Sequence, residues 1–141
     1  MGRRLVAVLA FVGALPMLVS ACHNRTPAYP QRQAPTGLLK SQAAIEAGHK
    51  LFASHCATCH GTLEEGRMPN VDHFVPAPPS FLSARYQQSD PAYLFWRISK
   101  GKTVEPYLSE GSVMPAWGAY FSDRQIWDLV AYLRHRSKVG S

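Results

Sequence analysis

The sequence predicts an all-α fold, and three observations carry the prediction. Apolar side chains recur at helical spacing in three separate stretches. Each stretch opens on a capping signal: Ser41, Asp90 followed by Pro91, and Ser122 with Gln125 three positions on. No alternation of the strand kind runs for more than a few residues, and there is no internal repeat. At 141 residues the chain is long enough for one domain with appendages.

The first appendage reads as a targeting segment. Gly2-Arg3-Arg4 is a short positive region, and Leu5 to Val19 is apolar apart from Gly13 and Pro16. Those 15 residues fall short of the roughly 20 that span a bilayer as a helix. They suit a signal peptide over residues 1–21. The segment closes on Val19-Ser20-Ala21-Cys22, which resembles a bacterial lipoprotein signal. On that reading Cys22 is lipidated and becomes the new N-terminus; the alternative is an ordinary cut near Ala21 with Cys22 a bystander. Residues 22–37 follow as a tether, with Pro27, Pro30 and Pro35 and almost no aliphatic side chain. Extended at roughly 3.1 Å per residue, fifteen such residues reach about 45 Å.

The domain proper is expected over residues 38–138. Its first helix starts at Ser41 and runs to about Cys56, with Ile45, Gly48, Leu51, Phe52 and His55 on one mostly apolar face. Glycine inside a helix costs up to about 1 kcal/mol relative to alanine, and a close helix crossing would explain Gly48. The helix leads into Cys56-Ala57-Thr58-Cys59-His60. Gly61 to Pro79 is polar and turn-rich and is expected to be a loop over the His60 side. A short helix is expected over Ser80 to Tyr86. The next helix starts at Asp90-Pro91 and ends at Lys100-Gly101, a basic last turn followed by glycine. Lys102 to Phe121 is loop. In the last helix Ile126, Leu129, Val130 and Leu133 form the buried face, while Arg134, Arg136 and Lys138 complement the dipole at its end.

The pentapeptide carries the chemistry. Two thiols three residues apart with an imidazole directly after suit covalent attachment of c-type haem. Cys56 and Cys59 would add across the two haem vinyl groups, and His60 would bind the iron axially. Other readings are a structural cysteine pair, a redox dithiol and half of a zinc site. A redox dithiol normally accompanies a βαβ pattern, which is missing. Zinc needs a second ligand pair, and no cysteine follows Cys59. The three cysteines, with Cys22 at the processing site, leave none for a disulfide.

An iron held by His60 has one more axial position. Met68 lies 8 residues after His60, and Met114 lies 54 residues on, in Ser112-Val113-Met114-Pro115. A separate loop can reach the opposite haem face, which favours Met114, whose thioether would close the iron to small ligands. His73 is the main histidine rival. His49 and His55 share the haem-bearing helix and are expected to point away from the distal face, and His135 to lie beyond the last buried turn.

The formal charge is +6, and removing Arg3 and Arg4 with the signal leaves 13 basic against 9 acidic residues, +4. The surplus is spread out; it suits an acidic redox partner or an anionic membrane face, and nothing points to nucleic acid. Glu64 and Glu65 are adjacent on a loop and do not form a facing acid–base pair, so no small-molecule substrate or enzymatic role of its own is expected.

Together these residues resemble a class I (monohaem) cytochrome c. The likeness covers about residues 41–136 and rests on Gly48-His49-Lys50-Leu51-Phe52, Cys56 to Gly61, Met114-Pro115-Ala116-Trp117-Gly118 and Ser122 to Leu133. The resemblance implies a small cytochrome c fold, with N- and C-terminal helices crossed around one covalent haem c and its iron. Gly48 and Phe52 would meet Tyr132, Leu129 or Leu133. The carbonyl of Pro78 or Pro79 would orient His60, and Trp96, Trp117 and Tyr107 would line the haem or bond a propionate. The implied function is electron transfer on the periplasmic side of a bacterial membrane, anchored by lipid on Cys22. The protein would shuttle one electron between redox partners or serve as the cytochrome subunit of a respiratory-type complex. Arg85, Arg97, Lys100 and Lys102 are candidates near the haem edge, and exposed Trp117, Tyr120 and Phe121 would favour the subunit role. Two other readings stay open. One is a haem sensor or peroxidase-like enzyme with an open distal site, which requires that Met114 not bind iron. The other is a structural lipoprotein that merely carries haem.

Overall fold

The structure is a computed structural model that describes residues 27–62 and 66–139. The predicted signal segment, Cys22, Glu64 and Glu65 lie outside the described residues. The described residues form five α-helices: α1 (Gln42–His55), α2 (Ala57–His60), α3 (Arg85–Gln88), α4 (Pro91–Lys100) and α5 (Asp123–Val139). Among the described residues there is no strand.

The three long helices start where their capping residues stand. The Ser41 hydroxyl accepts from the Ala44 amide at 3.4 Å, and the Asp90 carboxylate from the Ala92 amide at 2.9 Å. At α5 the Ser122 amide donates to Gln125 Oε1 (2.9 Å) while the Gln125 amide donates to Ser122 Oγ (3.3 Å), a reciprocal capping box. The short helix expected over Ser80 to Tyr86 is displaced. Turns occupy 81–84, and α3 begins only at Arg85.

α1 and α5 cross at Gly48. A Cβ there would stand 2.0 Å from the Asp128 carbonyl oxygen and 2.8 Å from Tyr132 Cβ. Glycine at this point is therefore a packing requirement, and it lets Phe52 reach Tyr132, their rings 5.3 Å apart. Leu129 and Leu133 of α5 and Leu94 and Ile98 of α4 complete the buried interior around Phe52.

α5 stays buried beyond Leu133. Arg136 and Ser137 are both 0% exposed, while His135 between the buried turns faces outward. His135 therefore does not lie past the last buried turn, and Arg136 is not a surface partner of the helix dipole. Arg136 follows Tyr132 by four and Leu133 by three, so helical spacing carries it onto the inner face.

The described part of the predicted tether lies against the domain. Tyr29 meets Tyr93 edge-on at 5.4 Å and donates its hydroxyl to Asp90 Oδ2 at 2.7 Å. Arg32 lies 4.9 Å over the Phe95 ring and pairs with Asp123 at 2.7 Å. The Arg32–Asp123 pair is exposed and contributes little, so the tyrosine is the stronger contact. Asp90 thus serves two elements, capping α4 and receiving Tyr29. Asp90→Ala should cost about 1–2 kcal/mol in urea unfolding, and Asp90→Asn, which can still cap, should recover most of it.

Candidate cofactor site

α1 ends because Cys56 leaves helical register. Its φ/ψ of −116°/−33° closes α1 on the Phe52 carbonyl (2.8 Å) and opens α2 on its own carbonyl, which accepts from Cys59 (3.1 Å) and His60 (2.9 Å). This short second helix places both cysteines and His60 on the wall of one cavity of about 340 Å³, within the range of small-molecule and cofactor sites. The two thiols are not joined in a disulfide. Burial, then the neighbouring Cys59, pushes the Cys56 thiol up to about 12, so it stays protonated at neutral pH.

His60 is buried, and its Nδ1 lies 3.0 Å from the Pro79 carbonyl. A carbonyl only accepts, so Nδ1 carries the proton and Nε2 keeps its lone pair, the tautomer that ligation needs. Of the two candidate prolines, Pro79 is the one that meets the ring. Phe81 packs 4.7 Å from the imidazole. Burial lowers the His60 pKa below its ordinary value, only partly opposed by the Pro79 bond, which favours the neutral imidazole a metal binds.

Met114 enters the same cavity on the loop between α4 and α5. Gly101 allows this. It ends α4 at φ +50°, and a Cβ there would stand 2.1 Å from the Pro115 carbonyl oxygen. The Lys102 amide then donates to the Met114 carbonyl at 2.8 Å. Arg97 braces the loop from inside. It donates to the Gly101 carbonyl and to Ser112 Oγ (3.2 Å), and its guanidinium lies 3.6 Å over the Tyr107 ring. Tyr107 in turn shares a 2.6 Å hydrogen bond with Tyr93. Burial and the bond to Tyr107 raise the Tyr93 pKa, so this phenol stays protonated.

The rival ligands stand elsewhere, with one exception. Met68 is not among the lining residues. His73 is exposed beside Phe74 at 4.1 Å, and His49 stacks outside on Tyr132 at 5.1 Å. His55 borders the cavity and packs edge-on against Trp117 and Phe121 at 5.6 and 5.2 Å. Trp117 and Tyr107 line the cavity, whereas Trp96 packs outside it on Tyr29 and Tyr107. Arg85 and Arg97 line it; Lys100 and Lys102 do not.

The donor set fits a haem. Two thiols, a neutral imidazole and a thioether share a mostly apolar cavity with arginine and tyrosine among its walls, as a flat apolar ring with anionic substituents requires. Among the described residues no group of three or more His, Cys, Asp or Glu side chains could hold a bare metal ion. Sequence reasoning missed the bracing role of Arg97 and the inward course of Arg136. The spacing from Tyr132 was the available signal for Arg136.

Comparison with known proteins agrees. Residues 43–133 match the family described as cytochrome C oxidase, cbb3-type, subunit III. The chain is 31% identical over 93 residues to a protein of Azospirillum brasilense named Cbb3-type cytochrome c oxidase subunit CcoP. The match covers 66% of this chain and 28% of that relative, so the likeness spans little more than a quarter of the relative's length.

Proposed function

Because this chain belongs to the cbb3-type cytochrome c oxidase subunit III family, a class I cytochrome c family whose haem c is covalently bound, we propose that it carries single electrons for a membrane oxidase-type complex. Cys56 and Cys59 would hold the haem by thioethers, and His60 and Met114 would supply the ligands to its iron. The observation that carries this reading is the meeting of these four side chains on one cavity, with His60 held in its ligating tautomer. Haem c supplies a one-electron iron centre; the chain supplies a rigid shell. Pro79 and Phe81 hold the imidazole, and Arg97 and Gly101 hold the methionine loop, so neither ligand need move when the charge changes.

Attachment to the periplasmic face is through lipid on Cys22, which confines the search for redox partners to a surface. The region of contact is the rim near Met114. Val113 is 50% exposed there, and Val75 beside the lining residue Pro76 is 66% exposed. Such apolar rims suit small, short-lived docking. Of the three aromatics that would favour a permanent subunit, only Tyr120 is strongly exposed, at 74%; Trp117 and Phe121 stack on each other at 5.0 Å and are half-buried.

The test is the visible spectrum of the ferric protein beside Met114→Ala and Met68→Ala. The native protein and Met68→Ala should show the weak far-red band of sulfur bound to ferric haem. Met114→Ala should lose it, and its reduced form should take up carbon monoxide. A native protein that lacks the band and binds carbon monoxide when reduced would replace the carrier by a sensor or peroxidase-like site.

A further inference from the structure

Arg136 is the largest fully buried side chain of the described residues, and it touches the site from behind. Its guanidinium reaches the backbone that leaves the haem motif. Nη1 donates to the Gly61 carbonyl at 3.0 Å. Nη2 donates to the carbonyls of Thr62 and Gly66, the latter at 3.3 Å, and lies 3.5 Å from the His60 carbonyl. The cation lies 4.6 Å over the Phe52 ring, and that ring stands 6.5 Å from the His60 ring. Among the described residues no carboxylate pairs with it, and its Nε–H has no acceptor.

A neutral donor could bond the same carbonyls without the cost of desolvating a charge. A buried cation that, among the described residues, only carbonyl dipoles and a ring face offset is a poor choice for stability alone. What the charge adds is a positive potential at His60, in a region of low dielectric where screening is weak. Ferric haem bears one more positive charge than ferrous haem, so this potential disfavours the oxidised state.

We propose that Arg136 is a positioning residue that raises the reduction potential of the haem ligated by His60, through its charge, while its fork holds the carbonyls of Gly61, Thr62 and Gly66 in place. The inference rests on the haem reading above, with His60 as ligand.

The experiment is a spectroelectrochemical titration of the haem-loaded full chain beside Arg136→Lys and Arg136→Gln, with Arg136→Met as a second neutral variant. The ferric sulfur band and far-UV circular dichroism are recorded for each. The neutral variants should keep the band and titrate at a lower potential than the native protein. Arg136→Lys should stay near the native potential, while amide exchange at Gly61 and Thr62 quickens, because lysine keeps the charge and loses the fork. A folded neutral variant with the band intact and the native potential overturns the proposal. So does a lysine variant shifted as far as the glutamine one, and so does failure of both neutral variants to fold while the lysine variant folds, which marks a structural residue only. Loss of the sulfur band in the native protein would instead overturn Met114 ligation, which the potential comparison does not require.

Discussion

Gly48→Val should leave the protein largely unfolded. The first side-chain atom alone would stand 2.0 Å from the Asp128 carbonyl oxygen, which is backbone and cannot rotate aside. Relief requires α1 and α5 to separate, and that withdraws Phe52 from Tyr132 and loosens the wall that carries Cys56 and His60. Overpacking of a tight core costs about 1–3 kcal/mol; with a backbone obstacle the loss should reach about 4–5 kcal/mol. That is comparable to the whole stability of a small domain, about 5–15 kcal/mol. Circular dichroism melts and urea titrations measure it. Ala53→Val, on the exposed side of the same helix, should lose under about 1 kcal/mol, which separates the crossing from helix propensity.

Cys56→Ala combined with Cys59→Ala should abolish covalent haem. The site sits at the α1–α2 junction, and among the described residues no other cysteine borders the cavity. Haem staining after denaturing electrophoresis and the mass of the intact chain should both lose the haem contribution. Each single variant should retain a weaker covalent signal through its remaining thiol. The double variant should also be less stable, because the proposed haem would fill the cavity of about 340 Å³ between α4, α5 and the loops, and a ligand that binds only the folded state stabilises it. Retention of haem through denaturation in the double variant would refute the thioether assignment.

The parts of this molecule that were legible in sequence are those decided by nearest neighbours. Ser41, Asp90 and Ser122 start helices through bonds made within three residues, and Gly48 was conspicuous because glycine is costly in an apolar helix face. The pentapeptide could be read as a haem site because the chemistry proposed for it is compressed into five positions. The unreadable parts depend on distant segments. Pro79 rather than Pro78 meets His60 only because the loop between them takes a particular path. Arg97 gathers Gly101, Tyr107 and Ser112 from a stretch with no periodicity at all. Arg136 was misread by its type: charge argued for solvent while helical spacing argued for the interior, and the interior won because four carbonyls were waiting there. The displaced third helix shows the same limit at smaller scale, since no capping residue marked where it begins.

The seat of Tyr29 changes the mechanics of a lipid-anchored domain. With lipid on Cys22, the chain length between anchor and first contact is not the fifteen residues of 23–37. It is the six that lie between Cys22 and the tyrosine, at most about 20 Å of chain at roughly 3.1 Å per residue. The pivot therefore sits on Tyr93, a residue that itself borders the cofactor cavity. If the chain is lipid-anchored at Cys22 as proposed, rotation about such a pivot would sweep the cavity mouth through a small arc close to the lipid headgroups. Partners that rise far above the bilayer would then lie outside that arc, and those whose redox centres lie near its surface would lie within it.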